Sequence, residues 1–277
     1  SKVWGEVAVS NEDQNTFSTL DDADNTGLAV RIGGVHAIPL SAVDTAKKLV
    51  LGSENEWRST HLTVVERYRP VEFDRDWNLA GVVQDGSQGL ASASIGFVNG
   101  DRGRLDLTGS IFQIDQRFRG IREALAGKMR FGRFDAALDG SLLRTDTEGE
   151  GSGILRNKAM LSRRFKGFAL GLSDELEANR FRSDSVDRLL PGSYAYHQWE
   201  AFLQSPDSAR AKFRVAGGQR TDQAYREGTL AASTEATNYT ATMDLGGRNV
   251  RKLATAFTYR RLRILDSTLT AQRAEDT

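Results

Sequence analysis

Apolar and polar residues alternate with a period of two through most of the chain, and this pattern restricts the fold more than any other feature of the sequence. In the segment 103–114, Leu105 and Leu107 fall on one face of an extended strand, whereas Asp106 and Thr108 fall on the other. Such alternation is typical of β-strands that have one apolar and one polar face. The same pattern recurs in the segments 134–146, 209–221 and 236–247.

Turn residues separate these segments at regular intervals, which predicts hairpins. Strands are predicted near 89–98, 103–114, 121–131, 134–146, 153–165, 167–181, 194–205, 209–221, 236–247 and 252–264. Their links alternate in length: the short ones are 99–102, 132–133, 166, 206–208 and 248–251, and the long ones are 115–120, 147–152, 182–193 and 222–235. Asn99 and Gly100 suit a tight hairpin turn, because both tolerate positive φ. A regular up-and-down antiparallel sheet follows.

The region 1–88 is less regular. Strands are predicted near 2–10, 28–35, 48–58 and 62–67. The residues at 41–44 resemble a capping box and predict a short helix near 42–48. The Asp- and Asn-rich segment 21–27 predicts a turn, and 67–77 is interpreted as an irregular link because Pro70 is a poor central-strand residue.

The same sequence patterns indicate the domain organisation. No clean boundary is visible, so 1–277 is interpreted as one β domain of about 12–14 strands, with the less regular part at 1–88 and the regular meander at 89–264. The sequence begins at Ser1 without Met and ends at Thr277 without a terminal signal. We therefore expect a fragment of a longer chain.

A sheet of this width must close, stack or be covered, because open strand edges invite association. Alternating short and long links are typical of outer-membrane barrels. The apolar face of 134–142 spans about 26 Å at ~3.3 Å per residue, or about 20 Å when tilted by about 40°, slightly less than the ~25 Å apolar band of such barrels. We therefore predict an all-β meander closed as a barrel, with a large soluble antiparallel sheet or sandwich as the alternative.

The opposite faces of these strands are charged, and basic and acidic residues balance at 37 each. Charges of opposite sign on neighbouring strands could pair across a polar interior, or they could form the solvated face of a soluble sheet. The candidate site is this charge ladder on the polar face, which comprises Arg122, Lys128, Arg130, Asp135, Asp139, Arg156, Lys158, Lys212 and Arg214.

Aromatic residues give a mixed indication about a membrane. Phe131, Phe134, Phe165 and Phe168 cluster beside two short turns, as an interfacial girdle would, although they could equally cap the core of a sandwich. Tyr is scarce, at six, whereas membrane interfaces favour Tyr and Trp. The segment 173–177 also carries charge on both faces.

Three segments carry a resemblance to known proteins. The run 15–18, the turn 24–27 and the longer run from Arg67 to Asn78 resemble parts of an uncharacterised family of large surface proteins, which are similar to β-rich, barrel-like outer-membrane proteins of Gram-negative bacteria. The resemblance covers mainly 1–80 and implies a β-rich outer-membrane fold. It brings no catalytic motif. The chain departs from complete barrels of this kind because it does not end in an aromatic residue.

Signatures of chemistry are absent from the sequence. The three histidines, His36, His61 and His197, are far apart and have no ligand spacing. No nucleophile elbow or phosphate-binding loop is present. A loop that starts at Asp22 lacks the later Glu that an EF-hand requires. Glu72, Asp74 and Asp76 lie among arginines, as in an ion-pair network. We predict no catalysis, no metal and no cofactor.

These observations favour a structural, pore-forming or transport role, or a surface role, as an outer-membrane β-barrel segment of a Gram-negative bacterium. The predicted partners are outer-membrane lipid and other envelope proteins; a nucleic-acid partner is not expected at zero net charge. The alternative is a soluble, secreted or surface-attached β-rich domain that binds carbohydrate or protein through its long loops, above all 222–235.

Overall fold

The structure, a computed structural model, describes residues 1–12, 25–64, 66–183, 185–206, 208–246 and 252–266. In these residues fourteen strands form one antiparallel sheet. The strands are β1 (Lys2–Asn11), β2 (Thr26–Pro39), β3 (Lys47–Arg58), β4 (Gln88–Asn99), β5 (Gly103–Ile114), β6 (Phe118–Phe131), β7 (Phe134–Thr147), β8 (Glu150–Arg164), β9 (Ala169–Ser183), β10 (Val186–Leu189), β11 (Tyr194–Gln204), β12 (Ala211–Arg226), β13 (Thr229–Gly246) and β14 (Lys252–Ile264). A helix of one turn, α1 (Phe73–Asp76), lies between β3 and β4.

Each strand pairs with its neighbours in sequence, so the sheet is an up-and-down meander. The one exception in the described residues is β10, which pairs back onto β9. This confirms the predicted all-β antiparallel meander and its number of strands. β1 and β14 stand at the two ends of the strand order, and they do not pair with each other in the part of the chain that the structure describes.

The structure departs most from the predicted alternation of short and long links. β12 and β13 continue through the predicted long loop 222–235 and meet in a two-residue turn, Glu227 and Gly228, whose φ angles are 48° and 86°. The segment 222–235 consists mostly of small and polar residues, so its strands have no apolar face, yet they pair through their backbones. The predicted long links 147–152 and 115–120 also shorten to 148–149 and 115–117.

Three local predictions in the remaining links also need correction. The predicted link 182–193 contains the short strand β10. No helix forms at 42–48, where the Ser41 hydroxyl accepts hydrogen bonds from the backbone of Val43 and Asp44 (3.2 and 3.1 Å) and β3 starts at Lys47. Residues 62–64 and 66 are not in a strand. Most of the predicted turn 21–27, the segment 15–18 and the link 248–251 lie outside the described residues.

The chain divides into two compact units. Unit 1 comprises Ser1–Leu125 and Ser141–Gly153, and unit 2 comprises Ala126–Gly140 and Ile154–Thr277.

The core of unit 1 lies where the β3–β4 link covers the polar face of β4 to β6. We call residues 69–79 of this link the cap. The Phe112 ring of β5 packs edge-on against Phe73, with 5.2 Å between ring centroids, and at a tilt against Trp77, with 5.3 Å between ring centroids. Gly120 of β6 leaves room for the Trp77 indole, because a Cβ at this position would lie 2.8 Å from the ring. The buried apolar residues of this core are Phe73, Trp77, Leu79, Phe112, Ile114 and Phe118.

Unit 2 has a smaller aromatic core. The Phe202 ring of β11 is buried and lies over Gly171 of β9, its cross-strand neighbour, where any side chain would collide with it. The guanidinium carbon of Arg214 lies 4.2 Å from the centroid of the Phe202 ring. This cation–π contact and the packing of Phe202 join β9, β11 and β12.

Candidate functional site

Ion pairs line the polar face of unit 1. In the register of β2 and β3, Arg31 and Glu56 are directly opposite, and Arg31 binds the neighbouring Glu54 at 2.6 Å. On β5, Arg104 binds Asp106 at 2.5 Å. Both acceptors belong to the face opposite the apolar residues of the same strands.

The polar face of unit 2 carries a longer series of ion pairs, which runs from β6 to β12. Asp135 of β7 is shared by Arg130 at 3.0 Å and by Arg164 at 2.8 Å. The other pairs are Arg156–Glu177 at 3.3 Å, Lys158–Glu175 at 3.4 Å, Arg220–Asp222 at 2.8 Å and Arg214–Glu200.

The nine predicted ladder residues fall into two groups. Five of the basic ones pair with an acidic partner on a neighbouring strand or in the cap: Arg130 with the ladder residue Asp135, Arg156 with Glu177, Lys158 with Glu175, Arg214 with Glu200, and Arg122 with Asp76 at 3.6 Å. Within the described residues, Lys128, Asp139 and Lys212 make no ion pair, although Lys212 lies opposite Asp244 in the register.

Two tyrosines donate hydrogen bonds to carboxylates of this series, and the predicted charge ladder does not include them. The Tyr194 hydroxyl donates to Glu177 at 2.5 Å, and the Tyr196 hydroxyl donates to Glu175 at 2.8 Å. The guanidinium carbon of Arg220 lies 3.9 Å from the Tyr196 ring centroid. Tyr194 and Tyr196 lie an even number of residues before Glu200 on β11, so they belong to the same face as Glu200. This spacing is the signal that could have placed them on the polar face.

Arg69 connects the cap to the polar face of unit 1. Its Nη2 donates to Glu56 at 2.7 Å and its Nη1 to Gln88 at 2.5 Å. The guanidinium carbon lies 4.3 Å from the Phe73 ring centroid and 5.0 Å from that of Phe112. The side chains of the Arg69–Glu56 pair are only 11% and 13% exposed. It is the least exposed ion pair of unit 1 among the described residues, so solvent screens it little and the loss of one partner would leave the other enclosed.

We expect Arg69→Gln to lower the free energy of unfolding by about 2 kcal/mol, because hydrogen bonds to a charged partner are lost and Glu56 stays enclosed without a cation. Chemical denaturation followed by tryptophan fluorescence measures the loss. Arg104→Gln is the matched control, since the Arg104 side chain is 55% exposed and its loss should cost less than about 1 kcal/mol. Equal losses in the two variants would contradict this prediction.

Asp115 organises the turn between β5 and β6, where its φ is 45°. Its Oδ1 accepts hydrogen bonds from the Ser87 hydroxyl at 2.5 Å and from the Ser87 backbone N–H at 3.0 Å. Arg117 binds Oδ2 at 3.2 Å. These contacts, first of all the Ser87 hydroxyl, hold the pKa of the Asp115 carboxyl below its ordinary value of 3.8.

This shift predicts an acid-sensitive contribution to stability. Because the pKa of Asp115 is lower in the folded chain, the stabilisation is fully present above the ordinary pKa of 3.8 and is lost as the pH falls through the folded pKa. Asp115→Asn removes the titrating group and tolerates the positive φ. We expect wild type to melt above this variant near neutral pH and the difference to shrink in acid. A difference that stays constant over the whole pH series would be inconsistent with this assignment.

The face opposite these ion pairs is predominantly apolar and exposed in each unit, although in unit 2 it also carries the His197–Asp174 pair. In unit 1, Leu51, Ile95 and Leu107 lie side by side on β3, β4 and β5, and Leu107 is 52% exposed. In unit 2 a row of apolar residues crosses β9 and β11 to β14, and its last member, Phe257, is 64% exposed. That row consists of Leu170, Leu203, Val215, Ala241 and Phe257.

A cavity of about 690 Å³ lies beside β1 to β3, and the β3–β4 link contributes Leu62, Thr63, Val64, Glu66 and Tyr68 to its wall. Its lining includes Glu6, Arg31, Arg58 and Tyr68. Burial raises the pKa of Tyr68 above its ordinary value. The Arg58 Nε is buried and has no hydrogen-bond partner in the described part of the chain.

Groups of three or more His, Asp or Glu side chains that could hold a metal ion do not occur among the described residues. Of the histidines, His197 binds Asp174 at 2.6 Å and His36 contacts the Ser1 hydroxyl at 2.5 Å. In the same residues no helix is long and apolar enough to cross a membrane.

Fold and site together define a class of protein: a wide antiparallel meander with one ion-paired face and one exposed apolar face. The comparisons with known proteins add no family to this description. No protein-family model, no curated protein and no solved structure matches the chain.

Proposed function

We propose that this chain is a membrane-embedded β-protein of a Gram-negative outer membrane, with a structural, pore-forming or surface role and no catalysis. The observation that carries the proposal is the exposure of large apolar side chains on one face of each unit, opposite a face of ion pairs. In water such a face is unfavourable, since large contiguous apolar patches are uncommon on soluble monomers. Against acyl chains it is the stable arrangement, because lipid-facing and water-facing residues alternate along membrane strands.

The ion-paired face fits the other half of this arrangement. A water-filled interior tolerates charged side chains, and pairing on neighbouring strands keeps the net charge low. The pairs Arg156–Glu177 and Lys158–Glu175 join β8 to β9 in this way. The acyl chains of outer-membrane lipid would then be the partner of the apolar faces.

The height of the apolar face supports the proposal better in unit 1 than in unit 2. On β2 the apolar-face positions from Leu28 to Ile38 cover ten rises, about 33 Å along the strand. Tilted by about 40°, this corresponds to about 25 Å, the height of the apolar band of membrane barrels. On β13 the positions from Tyr239 to Leu245 cover six rises, or about 15 Å with the same tilt.

We further propose that the sheet closes as a barrel in the membrane. Every backbone N–H and C=O group must be satisfied within the acyl layer, so an open strand edge cannot face lipid. β1 and β14 are the strands whose outer edges require a partner. They would pair with each other or with further strands of a longer chain.

Reconstitution of the chain 1–277 tests the proposal. We expect it to aggregate without detergent, to enter phosphatidylcholine vesicles from denaturant and to float with them. A closed barrel should also migrate faster on a detergent gel before heating than after it. A monodisperse monomer in plain buffer that does not float with vesicles would overturn the membrane proposal.

A second candidate is a soluble or surface-attached domain that binds carbohydrate or protein. The cavity of about 690 Å³ beside β1 to β3, with Tyr68 and charged side chains in its wall, favours it. The predicted binding loop 222–235 no longer supports it, because β12 and β13 occupy those residues. The vesicle experiment separates the two candidates, since only the second requires a monomer that is stable in buffer.

A further inference from the structure

A cleft between two short turns of unit 2 holds positive charge that no ion pair neutralises. The turn 132–133 joins β6 to β7, and the turn 165–168 joins β8 to β9. The two turns are in contact, since the Arg164 backbone N–H donates to the Arg133 carbonyl at 2.8 Å and the Arg164 Nη2 donates to the Gly132 carbonyl at 2.9 Å. Between them lies a cavity of about 470 Å³, which is lined by Gly132, Arg133, Arg164, Phe165 and Lys166.

The charge balance around this cleft differs from that of the whole chain. Residues 128–135 and 163–168 contain six cations and one carboxylate, which leaves five positive charges, whereas the whole chain has a net charge of zero. The cations are Lys128, Arg130, Arg133, Arg163, Arg164 and Lys166.

Asp135, the single carboxylate, is already shared by Arg130 and Arg164. In the described part of the chain, Lys128, Arg133, Arg163 and Lys166 make no ion pair. Four cations are therefore available to an anion from outside the chain, and Arg133, Arg163 and Lys166 are the three closest in sequence to the two turns.

Phenylalanine rings lie beside one of these cations, Arg163, on the apolar side. Arg163 lies on the same face of β8 as the exposed Leu155 and Leu161, opposite the ion-paired Arg156 and Arg164. Its guanidinium carbon is 5.1 Å from the Phe165 ring centroid and 5.8 Å from that of Phe134.

The rings form two stacked pairs, Phe131–Phe134 at 5.9 Å and Phe165–Phe168 at 4.6 Å, and all four are exposed. An arginine with an apolar stem among exposed rings can bury its stem and keep its charged group at a polar boundary. Rings and cation together are therefore suited to the boundary between acyl chains and headgroups.

We propose that this cleft binds the phosphate group of an anionic lipid headgroup. Arg133 and Lys166 contact the phosphate from the turns, Arg163 contacts it from the apolar face, and the four phenylalanine rings lie against the upper part of the acyl chains. The chemistry of the site favours a lipid over free phosphate, because free phosphate would leave the exposed rings without a partner. This inference rests on the proposed membrane location.

The test uses the full chain in dodecylmaltoside, titrated with dihexanoyl phosphatidylglycerol, dihexanoyl phosphatidylcholine and glycerol phosphate. We expect phosphatidylglycerol to bind at least about tenfold more tightly than phosphatidylcholine, because basic residues near a membrane each strengthen the attraction to anionic lipid. The triple variant Arg133→Gln, Arg163→Gln, Lys166→Gln should lose about tenfold or more of this affinity.

The matched control is Lys48→Gln, Arg102→Gln, Arg210→Gln, which removes the same charge elsewhere and should keep the affinity within about twofold. Equal binding of the two lipids, an unchanged triple variant, or glycerol phosphate binding as tight as that of phosphatidylglycerol would overturn the headgroup site. A chain that enters phosphatidylcholine vesicles but shows one of these results overturns this site alone. A chain that stays in buffer and never enters vesicles overturns the membrane proposal as well.

Discussion

Leu107→Arg is expected to lower the free energy of unfolding from phosphatidylcholine vesicles by about 2–4 kcal/mol, the cost of a basic side chain on the lipid face of a membrane barrel. Leu107 lies on β5 beside Ile95 of β4, and both side chains are more than half exposed. In a bilayer this position faces acyl chains, so a guanidinium must deform the lipid or leave the acyl layer. Denaturant titration in vesicles, followed by tryptophan fluorescence, measures the effect.

Thr108→Arg is the matched control, because it adds the same side chain to the next residue, on the opposite face. Thr108 lies opposite Ser94 on the polar face, where an added charge meets water, and its cost should stay below about 1 kcal/mol. If the chain is a soluble sheet, the order of effects changes. An exposed Leu replaced by Arg then alters stability by no more than about 0.5 kcal/mol, and solubility without detergent rises.

The strands could be predicted where alternation alone determines them. β5 begins and ends at the predicted residues 103 and 114, because apolar and polar residues alternate from Leu105 to Ile111. The outer parts of β12 and β13 could not be predicted in this way. Residues such as Gln223, Ala224 and Ala231 give no apolar alternation, and their strand conformation depends on backbone pairing between the two segments.

The sequence predicts which face of the strands carries the candidate site, but it does not predict which charged residues pair with each other on that face. Alternation places Arg130 and Asp135 on one face, and their short sequence separation across a tight turn brings them together at 3.0 Å. Arg156 instead pairs with Glu177, a partner set by the stagger of β8 against β9. The role of Arg69 depends on a long link folding back over β5, which no local pattern encodes.

Phe112→Ala is expected to lower the free energy of unfolding by about 3–5 kcal/mol, the usual cost of removing a fully buried aromatic ring. Phe112 is 0% exposed and is the residue on which the cap packs, through Phe73, Trp77 and the Arg69 guanidinium. Its loss leaves a cavity between β5 and the link that these neighbours cannot fill without moving. Denaturant unfolding measures the global effect.

A local measurement separates loss of the cap from general damage to the sheet. The Trp77 N–H donates to the Phe73 carbonyl at 3.0 Å and the Leu79 N–H donates to the Asp74 carbonyl at 2.9 Å, so their hydrogen exchange reports on the cap. In Phe112→Ala these amides should exchange faster, while the far-ultraviolet β spectrum stays unchanged. Ile111→Ala, the next residue on the exposed apolar face, should leave the cap amides protected. If both variants release the amides equally, Phe112 does not anchor the cap.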